Sequence, residues 1–146
     1  MKILITGSSG FIGQHIVPRL QEKHTVVCFE SDLTDFKSAA QEVLDHKPNQ
    51  IVHLAARTEV EKSFYEPLVF SQINYNGTEN LFNVAHQLPT FENFVSAMTI
   101  EVEGRQPISD QIKEGNIPEA IPAFDENTEP YPNAPYAVAK LACEKY

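Results

Sequence analysis

Short apolar runs alternate with longer stretches of helical periodicity along most of this chain. The runs at residues 2–6, 25–29, 51–56 and 93–97 have the length and character of buried strands. Between them, apolar residues recur three and four positions apart, as they do on one face of a helix. The alternation predicts an α/β fold with a doubly wound parallel sheet.

The predicted helices begin at recognisable positions. The first begins at Gly10 and contains Pro18, which should strain or kink it. The second is capped by Thr34 and Asp35, and a third, long helix begins at Pro67. A last helix, predicted over residues 135–146, is called the Tyr-Lys helix below. The apolar sets of the first and third helices are Phe11, Ile12, Ile16, Val17 and Leu20, and Leu68, Ile73, Leu81, Val84, Ala85 and Leu88.

Residues 105–135 have a different composition from the rest of the chain. Six of the ten prolines fall there, together with several acidic residues. Prolines at this density predict a long loop, with a short helix near residues 109–113.

Composition narrows the class of protein. At 146 residues the chain is expected to form one domain, residues 1–146. A formal net charge of −9 argues against nucleic acid or an anionic membrane as partner, and no apolar stretch is long enough to span a membrane. Cys28 and Cys143 are expected to be free thiols, and because a strand follows Met1 directly we expect the cytoplasm. The histidines lack metal-ligand spacing, so no metal site is predicted, and His53 is expected to be a hydrogen-bonded core residue.

A glycine-rich turn links the first predicted strand to the first helix. Gly7 permits the tight strand exit, Gly10 the close approach of backbone to a pyrophosphate, and Gly13 the packing of helix on strand. Glu30 ends the second predicted strand, where its carboxylate can accept hydrogen bonds from a ribose diol. The turn predicts a dinucleotide site, and Glu30 favours NAD over NADP.

Tyr136 and Lys140 carry the predicted chemistry. They are four positions apart and therefore share one face of the Tyr-Lys helix. The ammonium favours the phenolate, which makes the tyrosine a usable base towards an alcohol. Thr99, at the end of the last predicted strand, offers a hydroxyl to the substrate oxygen, and Glu101 is placed to remove a carbon-bound proton. These groups predict redox chemistry on an alcohol or ketone.

Several ordered motifs together resemble the extended short-chain dehydrogenase/reductases, specifically the NAD-dependent nucleotide-sugar epimerase/dehydratase family. The motifs are TGSSGFIG at residues 6–13, HLAA at residues 53–56, NYNGT at residues 74–78 and PYAVAK at residues 135–140. The resemblance implies a Rossmann-like sheet and a nucleotide-sugar substrate. Family members continue past the Tyr-Lys helix into a substrate-binding region, so we expect this chain to be truncated there, without a substrate domain.

The resemblance also implies roles for individual residues. Thr99, Tyr136 and Lys140 correspond to the catalytic triad, and Asn74 lies near the cofactor. The remaining implied cofactor contacts are Ser9, Phe11, Ile12, Asp32, Leu33, Leu54, Ala55 and Ala56. A homodimer formed through the long helices, including the Tyr-Lys helix, is also implied.

The net reaction stays open at the level of sequence. The expected function is epimerisation or dehydration of a nucleotide-sugar through transient oxidation of a sugar hydroxyl. Ile100 stands where many dehydratases have an acid, and the short interval after Glu30 is similar to keto-sugar-nucleotide reductases. A reductase, or a dinucleotide-binding fragment without activity of its own, are the alternatives.

Overall fold

The sheet consists of four parallel strands in the order β2-β1-β3-β4. A computed structural model of the chain describes residues 1–104, 124–125 and 127–146. The strands are β1 (Lys2–Thr6), β2 (Thr25–Cys28), β3 (Gln50–His53) and β4 (Asn93–Ser96). The central strand β1 places Ile3 opposite Val26 on one side and opposite Gln50 on the other. The parallel α/β sheet predicted from the sequence is confirmed.

Helices connect the parallel strands, and connections of this kind are right-handed. They are α1 (Phe11–Gln21), α2 (Phe36–His46), α3 (Val60–Tyr65), α4 (Pro67–Phe70), a π-helical turn (Ser71–Asn76), α5 (Gly77–Ala85) and the Tyr-Lys helix (Pro135–Lys145). The chain moves from β1 to β2 in one direction and then reverses to reach β3 and β4. Right-handed connection therefore puts α1 on one face and α2 and α5 on the other, where α2 packs against α5.

The main hydrophobic core lies between the sheet and the α2–α5 pair. Leu4 and Ile51, both fully buried, point from β1 and β3 into it. Its buried members are Leu4, Phe29, Leu33, Ala39, Val43, Ile51, Leu81, Val84 and Ala85. Each fully buried leucine or isoleucine stabilises the fold by roughly 2 kcal/mol. This core fixes the carboxyl ends of β1, β2 and β3, from which the site is built.

The first helix differs from its predicted apolar pattern. Phe11 is 79% exposed and Ile12 is 57% exposed, although both belong to the apolar set of this helix; their exposure leaves them accessible to a cofactor, as the family resemblance implies. The helix begins after the glycine turn that follows β1. The helix also continues through Pro18 to Gln21.

The region after β3 also differs from its predicted pattern. The strand ends at His53, and the long helix expected from Pro67 is divided by the π-helical turn, with Leu68 81% exposed on its outer side. Helix α3 was not predicted. The expected short helix near residues 109–113 lies outside the described residues. None of the helices in the described part of the chain is long and apolar enough to cross a membrane.

Candidate active site

The glycine turn brings β1, β3 and α1 into direct backbone contact. Gly7 has φ +67°, and a Cβ atom there would lie 2.7 Å from the backbone nitrogen of Ala55. A Cβ on Gly13 would overlap the carbonyl oxygen of Gly7. The Gly10 amide donates to that same carbonyl over 3.0 Å, which closes the turn. A side chain at either Gly7 or Gly13 would therefore push the strand end and the helix apart.

The first turn of α1 has the features of an anion site. Its N-cap, Gly10, has no side chain, and no acidic residue lies in the first turn. The amides of a first turn have no carbonyl partner within the helix, and the helix dipole adds positive potential there. Ser9 and Gly10 are exposed beside them. These groups fit the pyrophosphate of a dinucleotide.

The site lies where the sheet reverses its direction of winding. The chain leaves β1 towards one edge and β3 towards the other, which opens a crevice at their carboxyl ends. One wall is the glycine turn, and the other is formed by Leu54, Ala55 and Ala56, all of them half-buried. The three residues assigned to the cofactor from HLAA therefore lie beside the glycine turn.

Behind this crevice, buried hydrogen bonds join β1, β3 and α5 through His53. The Thr6 hydroxyl lies 2.6 Å from His53 Nδ1, and His53 Nε2 lies 3.0 Å from the Thr78 hydroxyl. Thr78 donates to the Asn74 carbonyl over 2.6 Å, so Nε2 must carry the ring proton and Nδ1 must accept from Thr6. We call these four residues the His53 network.

The His53 network also positions the crevice wall. The Ala55 amide donates to the Thr6 hydroxyl over 3.1 Å. Burial lowers the pKa of His53 from 6.5 to about 4, with a smaller contribution from the positive charge of Lys140. The ring is therefore neutral at physiological pH, and its role as a hydrogen-bonded core residue is confirmed. Its partners could not be predicted, because Thr6 and Thr78 are far from His53 along the chain.

Asn74 is buried in the π-helical turn and binds the backbone after β3. Its side-chain oxygen accepts from the Arg57 amide over 2.8 Å, and its side-chain nitrogen donates to the Arg57 carbonyl over 2.9 Å. Its own carbonyl accepts from Thr78 and from the Cys143 thiol. Asn74 therefore ties the segment after β3 to the Tyr-Lys helix, and its side-chain amide uses one donor and its oxygen in doing so.

Lys140 and Tyr136 are both buried on the Tyr-Lys helix. Lys140 is 3% exposed and Tyr136 is 7% exposed. Tyr136 packs edge-on against Phe70 with ring centroids 6.4 Å apart. Burial lowers the pKa of Lys140, and its Nζ makes no hydrogen bond or ion pair with any residue in the described ranges. A lysine that is buried along its side chain while its ammonium stays free of partners in the described protein is typical of a group that binds a ligand.

Thr99 and Glu101 lie at a short 3-10 helix that packs against the Tyr-Lys helix. The Thr99 hydroxyl accepts from the Glu101 amide over 3.3 Å, and Glu101 lines a small cavity of about 170 Å³. The Val102 carbonyl accepts from the Tyr131 amide over 3.0 Å. Gly104 has φ +52°, and a Cβ there would overlap the Tyr131 carbonyl. The two ends of the long proline-rich segment are thus held together just before Tyr136.

The residues assigned to the adenosine end of the cofactor differ in exposure: two are exposed and one is buried. Glu30 and Asp32 are exposed beyond β2, and the Thr34 amide and hydroxyl lower the pKa of Asp32 by hydrogen bonding to it. Leu33 is 9% exposed and packs in the core, and its carbonyl accepts from Asn80. Sequence reasoning missed Glu42 on α2, whose carboxylate binds the amides of Glu30 and Ser31.

The sheet order, the glycine turn at the reversal of winding and the buried Tyr-Lys pair define a Rossmann-like dinucleotide-binding fold. The sequence profile of the NAD dependent epimerase/dehydratase family matches residues 3–146, and the chain belongs to that family. The resemblance inferred from the motifs is confirmed.

Individual relatives agree with this assignment. The chain is 30% identical over 178 aligned positions to dTDP-glucose 4,6-dehydratase of Shigella flexneri, covering 99% of this chain and 48% of that protein. It superposes on UDP-glucose 4-epimerase of Thermus thermophilus in complex with NAD, with a TM-score of 0.83, 28% identity and coverage of 100% of this chain and 49% of that one. It also superposes on RMD of Pseudomonas aeruginosa complexed with NADPH, with a TM-score of 0.77, 29% identity and coverage of 99% and 47%.

Two facts about these relatives bear on the function. The chain spans about half the length of the relatives it matches. The matched structures include complexes with NAD and with NADPH, so membership of the family is compatible with either dinucleotide.

Proposed function

We propose that the protein is an NAD-dependent enzyme that epimerises or dehydrates a nucleotide-sugar through transient oxidation of a sugar hydroxyl. Residues 1–146 would supply its dinucleotide-binding segment. The observation that carries the proposal is Lys140, a buried lysine whose ammonium makes no hydrogen bond or ion pair with the described residues, on the same helix face as Tyr136. The glycine turn supports it, because the free amides of α1 fit a pyrophosphate.

Each group has a definite role in this proposal. Tyr136 takes the proton of the sugar hydroxyl, and Lys140 lies one turn along on the same helix face. The Thr99 hydroxyl orients the reacting oxygen. The bound nicotinamide supplies the hydride acceptor. In epimerisation, the hydride would return to the opposite face of the same carbon. In dehydration, Glu101 would remove the carbon-bound proton made acidic by the new carbonyl, that proton would leave with the neighbouring hydroxyl as water, and the hydride would return to the resulting double bond.

Calorimetric titration of the chain with NAD, and separately with NADP, tests the cofactor part of the proposal. We expect saturable binding with a preference for NAD, because Glu30 stands at the end of β2 and can accept hydrogen bonds from a ribose diol. Failure to bind either dinucleotide would overturn the proposal. Binding of NAD without any turnover would support the alternative of a dinucleotide-binding segment.

A matched pair of tyrosine variants tests the chemical part. With NAD and either dTDP-glucose or UDP-glucose, Tyr136→Phe should lower turnover by at least about 100-fold, the size expected for loss of a general acid/base. Tyr131→Phe removes the same hydroxyl from a side chain that is 65% exposed and should leave turnover unchanged. NAD affinity should be similar in both variants. Retained turnover in Tyr136→Phe would contradict the assignment.

A keto-sugar-nucleotide reductase using the same residues is the second candidate. The short connection between β2 and α2 favours it, since only residues 29–35 separate the two elements. The 31% identity to GDP-6-deoxy-D-mannose reductase of Pseudomonas aeruginosa supports it as well. Net consumption of reduced cofactor with a keto-sugar nucleotide would identify a reductase, whereas an epimerase returns its cofactor to the starting oxidation state.

We also propose a homodimer formed through α3, α4 and the Tyr-Lys helix. The support is an exposed apolar surface on these mutually packed helices, with Tyr65 80%, Leu68 81% and Val138 53% exposed. Light scattering should give twice the chain mass, and Leu68→Asp should halve it. Leu44→Asp, at a leucine of α2 that is 45% exposed, serves as control and should not. A wild-type chain that scatters as a monomer would contradict the dimer.

A further inference from the structure

The loop that follows β2 is held by a carboxylate from the next helix. Glu42 on α2 is half-buried and reaches back to the strand end. One of its carboxylate oxygens accepts from the Glu30 amide over 2.9 Å, and the other accepts from the Ser31 amide over 2.8 Å. Both oxygens of the carboxylate are thus engaged by two successive backbone amides.

Two successive amides pointing the same way are an anion-binding arrangement. The anion bound by Glu30 and Ser31 is the side chain of Glu42 itself. A phosphate group approaching this strand end would have to displace that carboxylate before it could use the same donors. It would also meet the negative charge of the carboxylate at short range.

Three further carboxylates lie on this loop or at the start of α2. Glu30 and Asp32 are exposed in the loop, and Asp35 caps α2. The cation nearest in sequence, Lys37, interacts electrostatically with Asp35. The strand end therefore combines occupied amide donors with an excess of negative charge.

We propose that Glu42 is a specificity-determining residue that excludes the 2′-phosphate of NADP by occupying the amides of Glu30 and Ser31. The inference rests on the proposed function, because it assumes that the adenosine ribose binds at the end of β2. It assigns to α2 a part of cofactor selection that Glu30 alone was expected to carry. The carboxylate of Glu42 also fixes the backbone from which the Glu30 side chain projects towards the ribose.

The test is the ratio of the dissociation constants for NADP and NAD, measured by calorimetry on the same chain. In Glu42→Ala the two amides become available to a phosphate, so the ratio should fall by about tenfold or more, the size of one or two hydrogen bonds to an ionised group. Glu42→Gln removes the charge and retains one acceptor, so its ratio should fall by a smaller factor. Asp45→Asn, on the same helix, removes an equal charge whose carboxylate bonds only Gln41, and its ratio should not change.

A second measurement does not depend on the dinucleotide. Titration with inorganic phosphate should shift the amide proton resonances of Glu30 and Ser31 in Glu42→Ala and leave them in place in the wild-type chain. Circular dichroism confirms that each variant is folded.

The outcomes separate this inference from the proposed function. An unchanged ratio in both Glu42 variants, equal weakening of both cofactors, or absence of the phosphate shifts in Glu42→Ala would overturn the role of Glu42 while leaving a dinucleotide site in place. Failure of the wild-type chain to bind either dinucleotide would overturn the proposed function, and the role of Glu42 with it.

Discussion

His53 and Lys140 are both buried ionisable side chains, but the fold surrounds them in opposite ways. They are 1% and 3% exposed, and burial lowers the pKa of each. Both ring nitrogens of His53 are hydrogen-bonded to threonine hydroxyls. The ammonium of Lys140 has no partner in the described part of the chain. One group is fully satisfied within the protein, and the other is not.

A buried polar group can stabilise the fold, as His53 does, or be available to a ligand, as Lys140 is. The His53 network joins β1, β3 and α5, so its hydrogen bonds hold structural elements together and leave nothing for a ligand. Lys140 contributes nothing comparable to the folded chain, because an unpaired buried charge costs free energy. A buried group of this second kind is the better indicator of a functional site. Four predictions test this contrast, from the largest expected effect to the smallest.

Replacing His53 should cost the most stability. His53→Leu leaves the Thr6 and Thr78 hydroxyls without their ring partners in a buried site, and we expect the free energy of unfolding to fall by about 3 to 4 kcal/mol. Chemical denaturation measures it. His86→Leu is the matched control, because His86 is exposed and bonds only within its own helix; it should change stability by less than about 1 kcal/mol. Equal losses in the two variants would contradict a structural role for the His53 network.

The lowered pKa of His53 should make the free energy of unfolding depend on pH. The pKa of the folded-state ring is about 4 against an ordinary 6.5, so the unfolded chain binds more protons between these values. The free energy of unfolding should therefore fall as pH decreases through that window, by about 3 kcal/mol in all. Denaturation at a series of pH values measures it. His86→Leu should keep this slope, and His53→Leu should lose it; the same slope in both would assign it to other groups.

Replacing Lys140 should increase stability and weaken function. Lys140→Met keeps the length of the side chain and removes the unpaired charge, so the free energy of unfolding should rise by about 1 to 2 kcal/mol. Affinity for NAD should fall, because the ammonium would no longer be available to the cofactor. Denaturation and calorimetry on the same sample measure both effects. A destabilised variant would show that Lys140 has a structural role, as His53 does.

Cys143 contacts the His53 network and is on the same helix as Lys140. Replacing it should change stability and NAD affinity less than replacing either of those residues. Its thiol donates to the Asn74 carbonyl over 3.1 Å and lies 3.6 Å from the Thr78 hydroxyl. Its negative form would also raise the pKa of Lys140. Cys143→Ser keeps a donor at this position, so stability should change by less than about 1 kcal/mol and NAD affinity should be retained. A large loss of affinity with unchanged stability would instead make Cys143 a functional link between the sites.

The sequence predicted the parts of the fold that depend on local periodicity. The four strands and the helices that begin at Phe11, Phe36 and Pro135 follow from runs of apolar residues and from capping residues such as Asp35, which accepts from the Lys37 amide. The exposure of Phe11 and Leu68 could not be predicted, because it depends on where each helix lies over the sheet. The π-helical turn likewise depends on Asn74 reaching Arg57, a contact between distant parts of the chain.

In the candidate site, too, local sequence patterns predicted some features and tertiary packing determined the others. Glycine spacing predicted the turn, and the four-residue interval between Tyr136 and Lys140 predicted their common helix. The burial of Lys140 without a partner, and the reach of Glu42 back to Ser31, exist only in three dimensions. The sequence therefore predicts which residues belong to the site, but their burial and hydrogen bonds depend on packing between distant parts of the chain.

The contact between Gly104 and Tyr131 has a consequence for insertions and deletions between these two residues. The Val102–Tyr131 hydrogen bond and the close packing of Gly104 on the Tyr131 carbonyl join the chain directly before and after residues 105–130, so the contacts that lead into Tyr136 lie outside that segment. Doubling the length of a closed loop costs only about 0.6 kcal/mol. A change in the number of residues between Gly104 and Tyr131 should therefore cost little stability, whereas a side chain at Gly104 would displace Tyr131.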